Sequence, residues 1–267
     1  MTPISEISEE TASSIRWVLT DIDDTLTKDG KLLPEAYAAL WDLKKAGLPV
    51  LAVTGRAAAW GCLLSHEWPV AGVITENGAV AYYMTEEQRI ESTVFPGAQP
   101  NTSLPLRRAA ERILAELPRA REAQDNFLRL YDFAIDYGEA VNPPLSIDDI
   151  SRIVEIFKEE GCSAQPSSIH VNAWLGDFNK REASLLFLSR FMGYDDAQNR
   201  EQVLYVGDAL NDEPMFSWFP NSCAVANIER WLRDIKRLPA WVSKESYGTG
   251  FAEIIGTVLS KRNPPTV

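Results

Sequence analysis

Three cysteines among 267 residues, Cys62, Cys162 and Cys223, are too few and too scattered for a disulfide framework. With no C-x-x-C pair they form no zinc cage either, and they suit a reducing compartment. Positive charge is also short. The 26 Lys and Arg face 38 Asp and Glu, for a formal net charge of −12, which argues against a surface selected for nucleic acid or anionic lipid. A small anionic substrate is not excluded, because it sees a local field rather than the total. Long apolar runs are missing: the longest, such as Leu48–Val53, is far too short to span a bilayer. Met1–Ser14 carries Glu6, Glu9 and Glu10 but no basic or apolar leader segment. No internal repeat or low-complexity tract is visible. These absences predict a cytoplasmic protein with no nucleic-acid or membrane partner, and they leave the oligomeric state open.

What is present is ordinary globular usage, 45% hydrophobic and 24% charged, with enough chain for one large domain or two modest ones. From Ser14 short apolar runs alternate with amphipathic stretches. Ile15–Thr20 reads as a strand, Pro34 to Gly47 as a helix with Ala36, Leu40 and Leu43 on one face, and Pro49–Val53 as a strand covered on both sides. A helix over 57–64 and a strand over 73–75 continue the rhythm, which predicts an α/β fold with a doubly wound parallel, Rossmann-like sheet. After Tyr83 the pattern changes. A turn-rich stretch leads to a helix from about 105 to 117, a strand over 128–137, a helix over 146–160 and a strand over 168–174. The first rhythm then resumes, with helix 180–192, strand 203–206, helix 213–218, strand 223–225 and a C-terminal helix after Gly250. The expected organisation is a core of residues 1–83 and 173–267 with residues 84–172 inserted as a smaller α/β cap.

Asp21-Ile22-Asp23-Asp24-Thr25-Leu26 follows directly on the first strand. Carboxylates this close repel one another unless a cation or proton sits among them. A calcium loop fails on inspection, since Leu26 stands where glycine is obligatory and Leu32 where the bidentate glutamate belongs. The position at a strand's carboxyl end is where open α/β sheets bind ligands. Three more signals share that edge: Thr54-Gly55-Arg56, which offers a hydroxyl, backbone N–H groups and a guanidinium to an anion; Lys180 at a helix start; and Gly207-Asp208-Ala209-Leu210-Asn211-Asp212. Each has a plain structural reading alone, but together those readings require four coincidences.

In these four motifs the chain resembles the haloacid dehalogenase-like superfamily of phosphohydrolases. The segment between Asp21 and Thr54 is too short for a cap, whereas that between Thr54 and Lys180 is long enough for one. With Glu76-Asn77-Gly78-Ala79 after the third strand, it is similar to subfamily IIB, which includes sucrose-phosphate, trehalose-phosphate and mannosylglycerate-phosphate phosphatases. One departure is Asp24, where many relatives have glycine. The resemblance implies Asp21 as nucleophile and Asp23 as general acid–base, with a pKa raised by its crowded surroundings. It also implies Thr54, Gly55 and Arg56 at the phosphate, with Lys180 on the nucleophile and the phosphoryl group. Mg²⁺ would be held by Asp21, Asp23 and Asp208, with Asp212 beside them as a further metal or orienting residue and Asn211 at the phosphate. The implied partner is a small phosphorylated substrate, most naturally a sugar phosphate.

Within the cap, Arg129, Asp132, Asp136, His170, Asn172 and Trp174 are polar or aromatic residues on two expected strands, and alternation puts His170, Asn172 and Trp174 on one face of theirs, either a sugar-binding face or a solvent-facing one with a structural Trp. The tryptophans other than Trp174, Trp60 among them, read as packing residues. Two rivals remain: a phosphotransferase or phosphomutase that passes the phosphoryl group to a sugar hydroxyl, and a catalytically silent binding protein of the same fold.

Overall fold

The computed structural model describes residues 1–167 and 169–262. Among them the large sheet has nine strands, in the order Thr2–Pro3, Trp241–Val242, Asn221–Ala224, Val203–Gly207, Trp17–Thr20, Val50–Val53, Gly72–Thr75, Val80–Met84 and Ile90–Val94. The first seven run parallel and the last two pair antiparallel. Helices cover both faces, so the central strands are buried throughout and read as continuous apolar runs rather than alternating ones. One face packs Ile22, Leu26, Leu40, Leu43 and the C-terminal helix Tyr247–Arg262. The other packs Leu51, Ile74, Phe187 and Tyr205 under helix Lys180–Phe191. The C-terminal helix starts three residues earlier than Gly250, with Gly250 buried inside it.

Among the described residues a second, antiparallel sheet of four strands forms the cap, in the order Ser163–Pro166, His170–Trp174, Asp132–Asp136 and Arg121–Glu122. Helices Leu104–Glu116 and Ile147–Glu159 lie on one face of it, closing a core of Leu106, Ile113, Ile135, Phe157 and Val171. The second helix starts with a capping box, in which Ser146 and Asp149 satisfy each other's backbone N–H groups. Register pairs Asp132 with Trp174, Ala134 with Asn172 and Asp136 with His170. The opposite face of the sheet, turned toward the core domain, therefore carries the polar residues.

Three sequence expectations are corrected. Residues 84–94 belong with the large sheet rather than the insert, because Val80–Met84 and Ile90–Val94 form a hairpin that extends it. Strand His170–Trp174 carries the cap sheet past residue 172. The expected strand over 128–137 begins only at Asp132, because the preceding backbone N–H groups are engaged elsewhere. Leu130, Tyr131 and Asp132 all donate to the Glu76 carboxylate, and the Asn126 amide closes a turn onto Ala134. The expected start of the next cap strand, Ser168, lies outside the described residues.

Candidate active site

Strand Trp17–Thr20 sits between Val203–Gly207 and Val50–Val53, so its carboxyl end opens onto two neighbouring strand ends. Asp21 is fixed there by its own N–H, which donates to the Val206 carbonyl at 2.9 Å. The acidic loop then turns back on itself: Leu26 and Thr27 donate to the Ile22 carbonyl, and the buried Ile22 and Leu26 plug the core beneath. That turn puts Asp24 at φ 59°, a left-handed conformation that glycine adopts without strain. The loop ends in a short hairpin, Thr27–Lys28 with Lys31–Leu32, around Asp29-Gly30. Sequence reading overlooked this hairpin although Asp-Gly is its usual two-residue signal. Its tip lines the cavity described below.

Lys180 begins a helix capped by the Asn179 side chain; its side chain is 4% exposed, with Nζ 2.7 Å from Asp21 Oδ1 and 3.2 Å from Asp212 Oδ1. Asp212 is saturated: Oδ1 also accepts from the Tyr205 hydroxyl, and Oδ2 accepts from the Asp208 and Ala209 N–H groups. Asp208 takes Asn227 Nδ2 at 2.9 Å and Arg230 Nη2 at 3.0 Å on one oxygen, with the Thr25 hydroxyl on the other. Asp21, Asp208 and Asp212 each bring a carboxylate oxygen within 4.8 Å of the others. Burial pushes Asp21 well above the usual carboxylate range against the pull of Lys180, and the carboxylates of Asp212, Asp208 and Asp23 add to the rise. Asp208 is pushed up to about 8 by burial and by Asp212, against Arg230. Burial disfavours the Lys180 charge, but Asp21 and Asp212 outweigh it and hold the ammonium protonated.

Asp23 departs from expectation. Arg56 Nε lies 2.9 and 3.0 Å from its two oxygens and Nη2 lies 2.6 Å from Oδ1. Burial pushes the Asp23 carboxyl up, but the Arg56 charge and its hydrogen bonds outweigh that and hold it below the usual range. Crowding by anions therefore does not raise it in this state, because a neighbouring guanidinium neutralises the crowd. Thr54 accepts from the Arg56 N–H at 3.1 Å and reaches Asp23 Oδ2 at 3.5 Å. Arg56 stacks on Trp60, 4.6 Å from the ring centroid, and Trp60 lines the cavity rather than serving only as packing.

The motifs converge on one cavity of about 350 Å³ between core and cap. Asp21, Asp23, Arg56, Asp208 and Asn211 line its floor, and His170 and Asn172 its roof. Thr54, Lys180 and Asp212 are buried around that floor. His170 Nε2 is 3.1 Å from Glu139 Oε2, and Asp136 holds the turn bearing Glu139 by accepting three backbone N–H groups. Trp174 turns away to stack on Phe178 at the seam between cap and core. Asn172 and Arg129 reach the Gly55 carbonyl and Asp132, so much of the expected sugar-binding face is engaged with protein. Sequence reading missed Asn227 and Arg230, which follow the end of strand Asn221–Ala224; a fourth strand end at the same edge was their only local signal. Arg230 also pairs with Asp24 at 2.7 Å, which neutralises that carboxylate.

Residues 18–104 match the family model described as haloacid dehalogenase-like hydrolase. A phosphoglycolate phosphatase of Methanothermobacter thermautotrophicus is 27% identical over 249 residues, covering 90% of this chain and 97% of the relative. A solved structure from Thermoplasma acidophilum superposes with a TM-score of 0.68 at 20% identity, over 92% of this chain and 98% of that one. A haloacid dehalogenase subclass IIB sugar phosphatase gives 0.62 at 14% identity, over 90% and 98%. The two structures show that the fold, cap included, is shared. Among the described residues no helix is long and apolar enough to cross a membrane.

Proposed function

We infer that the chain is a haloacid dehalogenase-like hydrolase, as the family match over residues 18–104 supports, and that its site makes it a Mg²⁺-dependent phosphatase of small phosphomonoesters with Asp21 as nucleophile. The observation that carries this reading is the buried Lys180 bridging Asp21 and Asp212 with Asp208 alongside. The buried Asp21 and Asp208, crowded by Asp212, offer hard oxygen donors suited to Mg²⁺. Asp21, Asp208 and the backbone carbonyl of Asp23 would hold the ion, which supplies the positive charge that lets a phosphate approach. Asp212, with its oxygens committed to Lys180, Tyr205 and the 208–209 backbone, orients Lys180 rather than binding metal.

An Asp21 oxygen attacks phosphorus as the bond to the ester oxygen breaks, leaving the phosphoryl group on Asp21. Asp23 gives a proton to the departing alkoxide. In the second step it takes a proton from the water that attacks the phosphoryl group, releasing inorganic phosphate and restoring Asp21. As it stands, Asp23 is prepared for the second role, since Arg56 holds it ionised. For the first, the incoming phosphate dianion draws Arg56 toward itself and removes the charge that keeps the proton off. Lys180, the Thr54 hydroxyl, the Gly55 N–H and Asn211 face the phosphoryl oxygens as charge develops there.

The cavity of about 350 Å³ matches a small ligand, and the His170–Glu139 pair on its roof offers hydrogen bonds to sugar hydroxyls. Lys31 on the lip is a cation for a carboxylate, which together with the name of the archaeal relative keeps phosphoglycolate in the test panel. The test is phosphate release from p-nitrophenyl phosphate, hexose phosphates and phosphoglycolate, with Mg²⁺ or EDTA. Release should require Mg²⁺, disappear in Asp21→Asn, and go to water rather than to an added sugar. Metal-loaded wild type that turns over no phosphomonoester would overturn the reading.

A further inference from the structure

In the Thr54-Gly55-Arg56 turn the Gly55 carbonyl takes two donors from the cap: Arg129 Nη1 at 2.9 Å and Asn172 Nδ2 at 3.2 Å. Arg129 has little capacity left for a substrate, and Asn172 keeps only its Oδ1. The Arg129 side chain is 1% exposed, and its remaining donors go to Asp132 at 2.8 Å and to both oxygens of Asp125. Asn172 Nδ2 is shared with Asp132 Oδ2 at 3.0 Å, and Asn77 reaches the same oxygen at 3.2 Å. The segment bearing Arg129 and Asp132 is itself seated on the core. Glu76 accepts the N–H groups of Leu130, Tyr131 and Asp132, and the Asn101 amide donates to the Arg129 and Asp132 carbonyls. A Cβ on Gly55 would lie 3.1 Å from Asn77 Oδ1 and 3.5 Å from Asn172 Oδ1, so the absence of a side chain there is what lets these groups close in.

The peptide joining Gly55 to Arg56 is one rigid plane. Fixing its carbonyl oxygen fixes the Arg56 N–H on the other side, and that N–H donates to Thr54 Oγ1 at 3.1 Å. With that acceptor position filled, the Thr54 hydroxyl proton is free to point toward Asp23 and the phosphate. We propose that Arg129 and Asn172 are positioning residues of the cap, which hold the phosphate-binding turn in its working shape by clamping the Gly55 carbonyl. This proposal rests on the phosphatase reading for its chemistry. Its ligand is the phosphate group common to every substrate, not the leaving group.

The test compares wild type with Asn172→Ala, Arg129→Lys and Arg129→Ala. It uses calorimetric binding of inorganic phosphate with Mg²⁺ and steady-state kinetics on two phosphomonoesters with unlike leaving groups. Phosphate binding should weaken about tenfold in Asn172→Ala, as expected for loss of one hydrogen bond to the turn. KM should rise by a similar factor for both substrates, and Arg129→Lys should retain more binding than Arg129→Ala. Phosphate affinity within twofold of wild type in Asn172→Ala overturns the proposal. So does a loss confined to one leaving group, which would make these residues substrate contacts. Should the arginine variants fail to fold, the neutral Asn172→Ala still decides. Wild type that binds phosphate but turns nothing over fails the phosphatase reading alone, because the binding comparison remains.

Discussion

Replacing Lys180 with methionine removes a charge and keeps most of the side-chain volume. The ammonium lies 2.7 Å from Asp21 and 3.2 Å from Asp212. At an effective dielectric of about 20, each pair is attractive by roughly 5–6 kcal/mol before solvation is counted. Desolvating the ammonium and the carboxylates takes back several kcal/mol, so the net cost of deleting one partner of such a buried network is about 3–5 kcal/mol. For a chain of this size that corresponds to roughly 10 °C in Tm. The deficit depends on pH with a definite sign. Without Lys180 the Asp21 carboxyl, already raised by burial, rises further. A carboxyl raised in the folded state contributes stability at low pH that is lost as pH climbs through its folded pKa. The variant's deficit is therefore smaller near pH 5 than near pH 8, as judged by that linkage. Mg²⁺, the other available counter-charge, should stabilise the variant more than it stabilises wild type. Urea and thermal unfolding with EDTA or millimolar Mg²⁺ measure all three effects. A loss below about 1 kcal/mol in EDTA at pH 8, or equal Mg²⁺ stabilisation of both proteins, refutes the reasoning, since a buried pair is expected to exceed both.

Proton competition at Asp208, pushed up to about 8, makes Mg²⁺ affinity increase with pH up to that value and level off above it. Calorimetry across this range showing no pH dependence would count against Asp208 as a ligand. Asp24→Gly relieves the left-handed φ of 59° but leaves Arg230 to Asp208 alone. Stability should stay within about 1 kcal/mol of wild type, while the Mg²⁺ dissociation constant rises several-fold; tighter binding would contradict the competition. Gly207→Ala places a Cβ 2.5 Å from Asp212 Oδ2, forcing that carboxylate off the Asp208 and Ala209 N–H groups. About 1–3 kcal/mol of stability should be lost, with kcat falling more than KM rises, because Lys180 loses its guide while the phosphate turn is untouched. An unaltered kcat would remove Asp212 from its orienting role.

The core of the site was legible because each motif is a local event, a polar loop directly after an apolar strand, and sheet topology alone brings the strand ends together. Asp21, Thr54 and Asp208 are of this kind, whereas Lys180 starts the helix that follows the cap strand His170–Trp174. Partnerships across distant segments were not legible. Nothing near Asp23 announces Arg56 as its partner, and nothing near Asn172 announces the Gly55 carbonyl. The cap face was half readable: alternation put His170, Asn172 and Trp174 on one side correctly, but period alone does not say whether that side meets substrate, core or solvent. Glu76 shows the same limit. Its sequence neighbours mark a turn, while its four N–H partners, at Ala58 and 130–132, come from elsewhere in the fold. The strand expected at 128–131 failed for that reason, because a distant carboxylate outcompeted the ladder for those donors.

The cap's seat on Glu76 and Gly55 closes one flank of the cavity, and its remaining lip includes the Asp29–Lys31 hairpin tip and Phe127, which is 83% exposed. Asp21, 4% exposed, lies at the bottom. On the phosphatase reading, a phosphate carried on a folded protein or a nucleic-acid strand is tethered to more bulk than a chamber of about 350 Å³ admits, and its hydrolysis should be far slower than that of a free small ester. On that reading selectivity against polymers would be a matter of reach, with the fold as a sieve whose mesh is set by the hairpin tip and one aromatic ring.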